Sequence, residues 1–122
     1  MPEPSPHAAT LHARDVVYDL IPKLKTTERL VDSTLQGRIT RCADADEKAR
    51  LQELKVEFEL EISMIRMNLE HLMRRYSRQL EEAVQDGASR QGAKLTLDAH
   101  EAVAIESART LYRRAQTLAL AT

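Results

Sequence analysis

Glycine, proline and aromatic residues are all scarce in this chain. Its 122 residues include three Gly, four Pro, one Phe, three Tyr and no Trp. That poverty argues against a sheet protein, which needs turn formers and β-prone aromatics, and favours helices held by aliphatic seams. The single cysteine, Cys42, excludes an internal disulfide and suits a reducing compartment. No apolar run approaches the ~20 residues of a membrane span. The opening residues lack the basic and apolar regions of a signal peptide, so a cytoplasmic location is expected. Net charge is −1, so no overall field draws the chain to nucleic acid or a lipid surface.

Chemical motifs are missing too. No His follows a Glu at the Glu-x-x-His spacing of helical di-metal bundles, and Cys42 has no CxxC companion. Histidine phosphotransfer domains carry Lys-Gly after the reactive His; here Leu72-Met73-Arg74 follows His71, and Glu101-Ala102-Val103 follows His100. Small helical enzymes such as the chorismate mutases converge Arg, Lys and Glu on a pocket, and no such pattern is present. The expectation is therefore a non-enzymatic protein with no catalytic residue, no metal and no cofactor.

What the chain does have is helical patterning. Residues 1–7 (MPEPSPH) read as a disordered Pro-rich tail, and 8–122 as one helical domain. The centre is a long helix over about 45–86. Asp44 and Glu47 have the spacing of a capping box, no Gly or Pro interrupts the run, and Asp86-Gly87 stops it. Leu51, Leu54, Phe58, Ile62, Ile65, Leu69, Leu72, Tyr76 and Leu80 step by three or four residues and form one stripe. Before it, a helix over 8–41 carries Val17, Leu20, Ile21, Leu24, Val31, Leu35 and Ile39. Pro22 lies inside this pattern and must bend or split the helix, a kink being favoured because the stripe keeps its phase, and Gly37 is a candidate early end. After the central helix, 86–94 (DGASRQGAK) reads as a flexible loop with no apolar anchor. A third helix over about 97–120 is capped by Thr96 or Asp98, Asp98 with Glu101 repeating the capping-box spacing, and has Leu97, Ala104, Ala108, Leu111, Ala115 and Leu118 as its stripe. Ala99, Ala104, Ala108 and Ala115 suggest close approach to a neighbour. The fold class is all-α, an antiparallel three-helix bundle or helical hairpin around one coiled-coil-like rod.

A second stripe on the central helix is the functional lead. Val56, Leu60, Met64 and Met67 also step by three or four, His71 continues the row, and all lie nearly opposite the first stripe. Charge is uneven along the same rod. Residues 44–61 hold seven acids against three bases, and 63–80 hold four Arg against Glu70. Two copies placed antiparallel about the midpoint, 65.5, set residue i against 131 − i. Met64 then meets Met67, Leu60 meets His71, Glu57 meets Arg74 and Glu53 meets Arg78; Glu61 against Glu70 is the discordant pair. These residues are the candidate interface of a homodimer or of a complex with another protein. The competing reading packs Leu60, Met64 and Met67 inside the monomer, with Met as a gap filler. The alternative function is a nucleic-acid-associated regulator. It would use Arg74, Arg75 and Arg78 with Arg113 and Arg114, provided the fold brings both clusters to one end.

Overall fold

The computed structural model describes residues 10–121, so the expected tail at 1–7 lies outside the described residues. The chain is all-α. Four helices pack on each other: α1 (residues 13–41), α2 (Ala45–Arg75), α3 (Ser77–Asp86) and α4 (Ala99–Leu120). Two three-residue strands, β1 (Thr10–His12) and β2 (Lys94–Thr96), pair antiparallel with Leu11 opposite Leu95.

α1 passes Pro22 unbroken. Val16–Leu20 forms a π-turn, in which the Ile21 N–H donates to the Val16 carbonyl. Proline lacks an N–H and crowds the preceding turn; widening that turn lets the helix accept it. The helix then runs through Gly37 to Arg41, so Gly37 is not its end. Leu20, Leu24, Val31, Leu35 and Ile39 are buried along it.

α2 starts as expected. The Asp44 carboxylate accepts the Glu47 N–H at 3.0 Å, while the Glu47 side chain turns to Arg50 at 2.6 Å instead of closing the box. Phe58, Ile62, Ile65, Leu69 and Leu72 form its buried face. The single long helix expected to residue 86 is interrupted at Tyr76, where φ is −120° and ψ is 28°. Hydrogen bonds reach Tyr76 from both sides, its N–H donating to Leu72 O and its carbonyl accepting the Leu80 N–H. α3 buries Leu80 and Ala83 and ends at Gly87, whose φ of +86° suits glycine.

The segment 86–94 corrects another expectation. It is tied down: Ala13 N–H donates to Ala93 O at 2.8 Å, and Arg14 N–H donates to Gln91 O at 3.1 Å. Leu95, just beyond it, is fully buried beside Leu11 in the core. Thr10–His12, expected as the start of the first helix, is the strand that makes this possible. α4 has both halves of its capping box, Glu101 N–H to Asp98 at 2.7 Å and Asp98 N–H to Glu101 at 2.9 Å. Ala104, Ile105, Ala108, Leu111 and Ala115 are buried against the other helices, whereas Ala99 is exposed. α4 runs antiparallel to α2, with Glu101 beside His71 and Arg114 beside Glu61.

Candidate interaction face

α2 is covered on one side only. A residue turns about 100° per step, so the stripe at 56, 60, 64 and 67 lies across the helix from Phe58, Ile62, Ile65 and Leu69. The structure leaves that stripe outside: Val56 is 52 %, Leu60 63 %, Met64 65 % and Met67 69 % exposed. The reading that buries them within the monomer is thereby overturned. The aliphatic seams of α1 and α4 close on the opposite side of the rod, and no element among the described residues covers this one. Val103 of α4, 65 % exposed, extends the patch. It faces Met64 across a groove of about 250 Å³ that Asn68 and Ser107 also line.

The predicted charged residues flank this stripe. Glu53, Glu57, Arg74 and Arg78 are exposed, and none makes an ion pair with any described residue. Asp46, Lys48 and Glu70 likewise make no ion pair with a described residue, but several other α2 charges are occupied. Lys55 pairs with Glu59 and Asp32, Arg66 with Glu28, and Glu61 with Arg114 at 3.6 Å.

His71 ends the stripe in a polar cluster that the sequence pattern did not reveal. Its Nδ1 lies 2.8 Å from Glu101 Oε2. Arg75 donates to the same carboxylate through Nε at 3.1 Å and Nη2 at 2.5 Å, and Nη2 also reaches Thr96 O at 2.9 Å. The Tyr76 hydroxyl accepts the Thr96 N–H at 3.1 Å and lies 3.2 Å from Thr96 O. Burial pushes the Glu101 carboxyl up, but the hydrogen bonds from Arg75, the Asp98 N–H and His71 outweigh it and hold the group below the usual carboxylate range. The hydrogen bond to Glu101 in turn holds the Arg75 guanidinium above its ordinary value. His71, Asp98 and Glu101 offer three ligand atoms within 4.8 Å of one another. Arg75 already donates to both Glu101 oxygens, so the negative charge of that carboxylate is matched within the chain and the cluster reads as an ion-pair node. The one sequence signal was the Asp98/Glu101 capping box. Its second role needs α2 alongside.

The two arginine clusters do not share an end of the bundle. Arg75 lies at the start of α4 with Glu101, and Arg114 lies on Glu61 with its guanidinium 4.8 Å over the Phe58 ring. Thirteen residues of α4 separate Glu101 from Arg114, roughly 20 Å. Among the described residues no helix is long and apolar enough to cross a membrane. Comparison with protein-family models, with curated proteins and with solved structures gives no match for this chain.

Proposed function

We propose that this protein is a non-enzymatic helical interaction module, an adaptor, scaffold or partner-holding protein, that works through the outer face of α2. The observation that carries this reading is the row of solvent-exposed Val56, Leu60, Met64 and Met67 on a helix whose other side is fully used by the core. Contiguous exposed apolar side chains rimmed by charge mark interaction surfaces, and methionines adapt to the partner they meet. A cytoplasmic setting accords with the lone, partly exposed Cys42. The nucleic-acid alternative has less support, because Arg75 and Arg114 are engaged within the chain and the clusters are separated.

The test is a photo-crosslinking amino acid placed at position 64 and, as a control, at exposed Gln85, in cells expressing the full chain. Adducts from position 64 and none from 85 are expected. No adduct from position 64, nor from 60 or 67, would overturn the reading.

A further inference from the structure

We propose that the occupant of this face is a second copy of the chain, docked antiparallel across α2; this rests on the reading of the face as an interaction surface. On the outer side of the rod one row steps alternately by four and three residues from Glu53 to Arg78. Its outer members are Glu53 and Glu57 at one end and Arg74 and Arg78 at the other. Between them stand Leu60, Met64, Met67 and His71. Alternating steps of four and three are the a and d positions of a coiled-coil heptad. Every member except Arg78, which follows the break at Tyr76, lies within α2.

The row is self-complementary. In an antiparallel pair of helices each a position is level with a d position of the other copy. The row is centred at 65.5, so Met64 packs on Met67 of the second copy and Leu60 on its His71. Glu57 meets Arg74 and Glu53 meets Arg78, twice each by symmetry. A parallel pair would put a on a and d on d. Glu would then meet Glu, and Arg would meet Arg, in the four outer layers. Charge thus selects the antiparallel arrangement, and none of these four residues makes an ion pair with a described residue.

The discordant pair resolves in three dimensions. Glu61 and Glu70 fall on opposite flanks of the row, about 100° to one side and 80° to the other. Twofold symmetry sets each flank against the same flank of the second copy. Glu61 therefore comes beside Asn68 and Glu70 beside Ser63, both able to donate hydrogen bonds, and Glu61 is already paired with Arg114. Val103, on the flank of Met64 and Asn68, widens the apolar strip.

The test is the mass of the purified full chain by sedimentation equilibrium from low to high micromolar concentration, with far-UV circular dichroism as a check on folding. Growth toward twice the 13.8 kDa chain is expected. Glu57→Arg sets like charges together in the antiparallel dimer and should weaken it about tenfold or more. Adding Arg74→Glu should restore it. A dimer indifferent to Glu57→Arg, or not rescued by the double variant, overturns the proposed arrangement. A monomer at every concentration overturns self-association altogether. Adducts from position 64 that contain a different protein would then show that the face works with another partner, and their absence would sink both readings.

Discussion

Glu101 and Thr27 are the only polar side chains buried among the described residues, and Glu101 alone is charged. Its carboxylate stays ionised because Arg75, His71 and the Asp98 N–H replace the water it has lost. Glu101→Gln keeps the shape but leaves Arg75 without its counter-charge, and should cost about 1–3 kcal/mol in urea denaturation at neutral pH. The pH dependence follows in sign. The folded carboxyl is held below its unfolded value, near 4.3, so its contribution is present above that pH and is lost as pH falls through the lower folded value. Below about pH 5 the parent protein should therefore lose stability more steeply than Glu101→Gln. Two glycines should respond with opposite sign. Gly92 has φ of +72°, and a Cβ there would come within 3.3 Å of the Ala13 Cβ, so Gly92→Ala should destabilise by about 1–2 kcal/mol or more. Gly37 lies inside α1, where an added Cβ meets only the mobile end of Arg41; Gly37→Ala should stabilise by about 0.5–1 kcal/mol. Thermal melts of the two variants check both.

Among the elements, the α2–α3 rod departs most from what its composition suggests. Forty residues of strong helix formers, free of Gly and Pro, read as one helix, and local propensity does favour one. At the break, contacts from elsewhere in the chain meet the helix: the Tyr76 hydroxyl is bound by the backbone of Thr96, and Arg75 is held by Glu101 and Thr96. Tyr76→Phe removes the hydroxyl and should release Thr96. The expected result is faster hydrogen exchange at the Thr96 N–H and a loss of about 1 kcal/mol. The strands were hidden for a similar reason. Three residues with one central Leu are too short for an alternating pattern to register, and β1 and β2 lie more than eighty residues apart in the chain. α1 shows the reverse case. Its apolar stripe keeps phase across Pro22, and the π-turn at Val16–Leu20 is the backbone adjustment that preserves it.

At the level of the whole molecule, one apolar core gathers the inner faces of all four helices together with Leu11 and Leu95. The two sides of α2 should therefore differ sharply. Ile65 is 2 % exposed, and Ile65→Ala should cost about 2–4 kcal/mol. Met64→Glu, one residue away, should change the stability of the dilute chain by less than about 0.5 kcal/mol, because it alters only solvent-facing surface. If Met64→Glu proved as damaging as Ile65→Ala in denaturant titrations, the outer face would be part of the core and the proposed interaction surface would fall. An antiparallel dimer adds a concentration dependence: stability rises with protein concentration in the parent chain and does so less, or not at all, in Met64→Glu.

Spacing along the chain was sufficient for the helical class, the Asp44 cap, the Asp98/Glu101 box as one of two candidate starts of the last helix, the buried stripe of the central rod and the second stripe opposite it. These depend on neighbours within a turn or two, where periods of three and four residues translate directly into faces. It could not say whether the second stripe was covered, since coverage depends on which elements reach that side. Nor could it join His71 and Arg75 to Glu101, Tyr76 to Thr96, or Leu11 to Leu95. Those contacts connect residues twenty to more than eighty positions apart, and only the packing of α1 and α4 on one side of the rod brings them together. That same packing leaves the other side of α2 open.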